Sequence, residues 1–159
     1  MQRLLLMRHS YAASGYTDEE RPLTDRGRSI ATQTAALWSA NPPDLILAST
    51  AVRATETAEL VQLELPNSPE VKLLDRLYLA APITYFEAAM EFSSDAESIL
   101  VVGHNPGMAT LINSWSDSMM SVSPASVAVF ELPAESWSLN ATDARPRLTE
   151  YYSEGARIV

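Results

Sequence analysis

The 159-residue chain has no cysteine, which excludes a disulfide framework, a thiolate nucleophile and a cysteine-ligated metal site. With no thiols to report a redox compartment, the cytoplasm is the default expectation. Long apolar runs are also missing. The N-terminal run Leu4-Leu5-Leu6-Met7 is ended by Arg8 and His9, too early for a signal-peptide core and far short of the roughly 20 residues of a membrane-spanning helix. Positive charge is scarce: 11 Lys and Arg face 20 Asp and Glu, for a formal net charge of -9. Such a surface repels nucleic acid and anionic membrane, so neither is an expected partner. Internal repeats and low-complexity tracts are absent as well.

What remains is the composition of an ordinary folded protein, with 47% hydrophobic and 19% charged residues. A chain this long buries about 70% of its unfolded surface, and the expectation is a single domain over residues 1–159. Three short runs, Leu4 to Met7, Leu45 to Ala48 and Ile99 to Val102, lack polar alternation, as strands buried on both faces of a parallel sheet do. Between them, Ile30, Thr34, Leu37 and Trp38, then Ala54, Ala58 and Val61, then Phe86 and Met90, recur at helical spacing.

Thr24 is placed to cap a helix beginning near Asp25, and Asn105-Pro106 supplies a cap and a first-turn proline before Met108, Leu111, Ile112 and Trp115. Val127 to Leu132 reads as a strand, with Ser136 to Leu139 and Arg147 to Tyr152 as further edge strands. The β-α-β alternation predicts an α/β fold: a doubly wound, mostly parallel sheet with helices on both faces. In such sheets ligands bind beyond the carboxyl ends of the strands.

The only two histidines, His9 and His104, each sit just past the carboxyl end of one of these runs. Arg8 precedes the first, and Arg53 comes after the remaining run, Leu45 to Ala48, across Ser49 and Thr50, in the first turn of the next helix. Taken singly, each has an ordinary reading: an Arg-His pair that is solvated or caps a helix, a histidine bonded to backbone, an Arg53–Glu56 pair at i,i+3. Together, two guanidinium groups, two imidazoles and a helix N-terminus suit a tetrahedral anion, because arginine's planar fork bonds phosphate oxygens two at a time. Positioned cations stabilise the charge that phosphoryl transfer spreads over three oxygens, and an imidazole can be its nucleophile. The same arginines would repel a divalent cation, so no metal is expected. Asp18-Glu19-Glu20 reads as a solvated loop that could hold a proton donor.

Four ordered segments, LLLMRHS, ERPLTDRG, DLILASTAVRATETAELV and ILVVGHNPG, resemble the histidine phosphatase superfamily, formerly grouped around phosphoglycerate mutase, and within it the small SixA-type phosphohistidine phosphatase branch. The resemblance spans about the first three quarters of the chain. It implies that His9 is phosphorylated and that Arg8, Arg53 and His104 bind the phosphoryl group, without a cofactor. Arg21, in the RPLT motif, would line the mouth and touch substrate or brace the loop before the helix.

Superfamily members that cleave phosphate monoesters or act as mutases usually carry an acidic proton donor soon after the third strand. This chain reads LLDRLYLAAP there, offering Asp75 without a clear counterpart. A phosphohistidine substrate relaxes that need, since an imidazole of reference pKa about 6.5 leaves far more readily than an alkoxide. The expected partner is thus a histidine-phosphorylated protein such as a phosphotransfer domain. The alternatives are a small phosphorylated substrate hydrolysed with Asp75 or the Asp18 loop as acid, and a non-catalytic phosphoprotein-binding module.

Overall fold

The computed structural model of the protein describes residues 2–133 and 146–159. In chain order the elements are β1 (Gln2–Arg8), α1 (Asp25–Trp38), β2 (Leu45–Ser49), α2 (Val52–Glu64), β3 (Glu70–Leu74), α3 (Pro82–Glu91), β4 (Ser98–Gly103), α4 (Gly107–Ser116), β5 (Val127–Leu132), β6 (Arg147–Ser153) and β7 (Ala156–Arg157). They build one seven-stranded sheet in the order β3-β2-β4-β1-β5-β6-β7. The first four strands of that order are parallel; β5, β6 and β7 run antiparallel to their neighbours.

The three uninterrupted apolar runs are the three innermost parallel strands, and their side chains alternate between two cores. Leu4 and Leu6 pack with Tyr85, Met108 and Ile112 of α3 and α4. Leu5 and Met7 pack with Ala35, Ala54 and Ala58 of α1 and α2. Every one of the four is fully buried, at roughly 1.5–3 kcal/mol of hydrophobic stabilisation each. The sheet is therefore an α/β sheet covered by helices on both faces, as the run pattern predicts.

Local signals set the boundaries. Thr24 caps α1, its side chain accepting from Gly27 N. The buried stripe of α1 is Gly27, Ala31, Thr34, Ala35 and Trp38, whereas Leu37 is 44% exposed, one position round the helix from where its hydrophobicity suggests. Helix α4 begins at Gly107, after Pro106 rather than around it, and Asn105 still serves it by accepting from Ala109 N through Oδ1. Strand β6 lies between β5 and β7, so the edges of the sheet are β3 and the two-residue β7. The Ser136 to Leu139 segment lies outside the described residues. Among the described residues, no helix is long and apolar enough to cross a membrane.

Residue Arg8 pairs with Gly103 across parallel strands β1 and β4, so the residues just beyond each strand emerge side by side at one sheet edge. Strand β2 flanks β4 on the other side and delivers Ser49 and the first turn of α2 to the same edge.

Candidate active site

His9 and His104 meet at that edge, with ring centroids 5.1 Å apart. His9 is 9% exposed and His104 1%. The backbone places them: His9 N donates to Gly103 O, extending the β1–β4 ladder by one bond. Beneath them Tyr85 is fully buried, and its hydroxyl accepts from His104 N at 2.9 Å. Residue 103 must be glycine for this packing, because a Cβ there would stand 2.3 Å from the Tyr85 ring.

The ring of His9 is oriented by its own neighbour. Its Nδ1 lies 2.7 Å from Ser10 O, and a carbonyl can only accept, so Nδ1 carries the hydrogen. Ser10 is itself pinned, its amide donating to Thr57 Oγ1 and its hydroxyl to Gly27 O. That leaves Nε2 with the lone pair, 3.4 Å from Arg53 Nε. Burial is the main reason the His9 pKa falls to about 4, with the Arg53, Arg8 and Arg21 charges adding to it. His104 is lowered to about 3, again chiefly by burial and then by the His9 ring. Both imidazoles are neutral at pH 7, and the His9 Nε2 lone pair accepts from Arg53 Nε.

Arg53 is turned inward from the first turn of α2 and is only 3% exposed. Glu56, three residues on, bonds Leu23 N and Arg28 instead. The Arg53 guanidinium gives Nη1 to the backbone carbonyl of Asp18 at 2.6 Å and Nη2 to its carboxylate at 3.0 Å. The N-terminal amides of α2 are less available than expected: Ala51 N donates to Ser49 Oγ and Val52 N to Glu19 O.

Arg8 gives Nη1 to Val122 O at 2.9 Å, and burial lowers its pKa. Its Nε and His104 Nδ1 are buried with no hydrogen-bond partner among the described residues. A buried polar atom left unpaired costs about 1–3 kcal/mol. His104 Nε2 is joined to Ser49 Oγ at 2.8 Å.

Asp18 and Tyr78 close the outer side. The Asp18 carboxylate receives Arg53 on Oδ2, Arg21 on Oδ1 and the Tyr78 hydroxyl on Oδ2, and these bonds, Tyr78 first, hold its pKa near 2. Tyr78 sets its ring edge-on to His104, 5.4 Å between centroids. Arg21 also donates Nε to Ala13 O, bracing the loop that carries Asp18. Asp75 is exposed in the short 3-10 turn Asp75–Leu77, and its carboxylate enters none of these bonds.

The structure thus brings Arg8, His9, Arg53, His104 and Arg21 into one cluster. Asp18 belongs to it as a bonded carboxylate rather than a solvated one. Tyr78 escapes sequence reasoning: it sits in LLDRLYLAAP, where only the carboxylate Asp75 stands out, and a lone tyrosine carries no spacing signal. Among the described residues, no three His, Cys, Asp or Glu side chains are grouped to hold a metal ion.

Residues 4–78 match the family model described as histidine phosphatase superfamily (branch 1). The uncharacterized protein Rv1276c of Mycobacterium tuberculosis is 36% identical over 109 residues, covering 66% of this chain and 66% of that protein, so the match spans just under two thirds of the relative's length. The candidate phosphohistidine phosphatase SixA of Nakamurella multipartitia superposes with a TM-score of 0.82 at 24% identity, over 96% of this chain and 95% of that one. The protein histidine phosphatase SixA in complex with tungstate gives 0.75 at 21% identity, over 95% and 96%. Over residues 4–78, which carry Arg8, His9 and Arg53, the chain matches the histidine phosphatase superfamily (branch 1), and its overall fold is that of the SixA structures.

Proposed function

We propose that the protein is a phosphohistidine phosphatase working through a covalent phospho-His9 intermediate. The observation that carries this reading is the His9 ring itself: Nδ1 is tied to Ser10 O, leaving Nε2 unprotonated beside Arg53. In the first step Nε2 attacks phosphorus in line. A new N–P bond forms and the bond from phosphorus to the substrate imidazole breaks; the substrate ring, protonated on its other nitrogen, keeps the electron pair and departs as neutral imidazole. In the second, water attacks phosphorus, the bond to Nε2 breaks, and phosphate leaves with His9 restored. Arg8, Arg53 and His104 hold the equatorial oxygens in both steps, and the guanidinium charges do the work a metal would otherwise do.

The choice of leaving group rests on the absence of an obvious acid among the described residues. Asp18, the carboxylate nearest the reacting groups, is ionised at neutral pH and has no proton to give an alkoxide, and Asp75 is exposed and outside the bonded cluster. An imidazole leaving group tolerates this; a sugar alkoxide does not.

The test is phosphate release by chelator-treated protein from a histidine-phosphorylated phosphotransfer domain and, separately, from a small phosphomonoester. Selective loss of phosphohistidine, abolished in His9→Ala, is the expected result. Faster turnover of the monoester would make the protein a small-molecule phosphatase. Binding of the phosphoprotein without turnover would make it a recognition module.

A further inference from the structure

Arg53 is almost wholly buried, and a buried guanidinium needs both a countercharge and fixed acceptors. Among the described residues its only ion-pair partner is Asp18, at 3.0 Å. That same residue also takes Nη1 on its backbone carbonyl. Two acceptors from one residue fix the plane of the fork, and the third nitrogen, Nε, is then left directed at His9 Nε2. Asp18 is anchored in turn by Arg21 on one oxygen and Tyr78 on the other, while Glu19 O takes Val52 N and straps the loop to the start of α2. The carboxylate is 45% exposed, so water alone could solvate it; the three side chains converging on it are a constructed contact.

We infer that Asp18 is a positioning residue for the reaction, one that orients Arg53 toward His9 Nε2 and places a fixed negative charge at the mouth of the pocket. This rests on the phosphatase reading for its kinetic meaning and on geometry alone for the orientation. The two functions oppose each other. Orientation aids the chemical step, whereas the negative charge weakens capture of any anion, free phosphate included. Substrates with an extra anionic group next to the phosphoryl would be disfavoured, and an uncharged imidazole would not.

The two contributions separate in Asp18→Asn and Asp18→Ala. Asparagine keeps an acceptor for Arg53 and removes the charge; alanine removes both, leaving only the backbone carbonyl. The expected order of kcat is wild type, then Asp18→Asn within a few-fold, then Asp18→Ala lower by about 10- to 100-fold, with KM changing less than kcat. Inorganic phosphate should inhibit Asp18→Asn at lower concentration than it does wild type. Independently of turnover, proton–nitrogen NMR should show the Arg53 Nε–H as a resolved, slowly exchanging signal in wild type and Asp18→Asn, and broadened or lost in Asp18→Ala, with thermal melts establishing that all three proteins are folded. An unchanged Arg53 signal together with wild-type kcat in folded Asp18→Ala overturns the inference. If wild type itself turns over no phosphorylated substrate, the phosphatase reading fails, and the NMR comparison alone decides the positioning role.

Discussion

The floor and the mouth of the pocket are built differently. The floor, His9 and His104, is set by backbone: both residues directly follow adjacent parallel strands, His9 N donates to Gly103 O, and the fully buried Tyr85 takes His104 N on its hydroxyl. The mouth, Asp18, Arg21 and Tyr78, is set by side chains from loops, with Asp18 and Arg21 substantially exposed. Arg53 spans the two, its Nε facing the floor and its other nitrogens the mouth. Strand ends give position at little entropic cost, while loop side chains give an arrangement that can be adjusted or lost without unfolding the domain.

That contrast predicts a gradient of effects. His9→Ala should cut turnover by at least about 10³-fold with the melting temperature little changed, since the residue is the proposed nucleophile and not a core element. Retained turnover would remove the floor from the chemistry. Arg53→Ala should lower kcat/KM by about 10²–10³-fold, read by steady-state kinetics with phosphohistidine substrate; a near-wild-type value would show that Arg8 and His104 suffice.

Gly103→Ala should destabilise by about 1–3 kcal/mol, because its Cβ meets a Tyr85 ring that has no room to retreat. Denaturant unfolding measures this, and an unaffected midpoint would mean the floor is softer than its packing implies. Tyr78→Phe, at the mouth, should reduce kcat only a few-fold, because Asp18 keeps both arginines; a larger loss would move Tyr78 from the mouth into the reaction.

The floor also has a signature in pH. Unfolded imidazoles bind protons near pH 6.5, whereas His9 and His104 in the fold do so only near pH 4 and 3. Between those limits the unfolded state binds more protons, so stability falls as pH falls from about 6.5 toward 4. Melting temperatures of the double variant His9→Ala, His104→Ala should show a shallower slope over that window than wild type. Equal slopes would mean that the two rings are not buried as neutral groups.

The same contrast explains what the sequence made legible. Strands β1, β2 and β4 are buried on both faces, so their signal is a plain apolar run, and the residues just past their carboxyl ends, both histidines and Arg53 among them, could be placed at one edge. Strand β3 carries no such run, because it is an edge strand with partly exposed residues. Two-residue β7 is too short to carry a pattern. Leu37 misled because hydrophobicity marked a face that the small residues Ala31 and Ala35 occupy. Asp18 looked solvated because its partners are 3, 35 and 60 residues away along the chain, and only the fold brings them together.

The central claim is the bond to His9. Rapid quenching of wild type during turnover of a histidine-phosphorylated phosphotransfer domain, followed by peptide mass spectrometry under alkaline conditions that preserve phosphohistidine, should find the phosphoryl group on the peptide carrying His9 and nowhere else. Phosphate release with no such adduct at any time, or with the adduct on His104 instead, would contradict it.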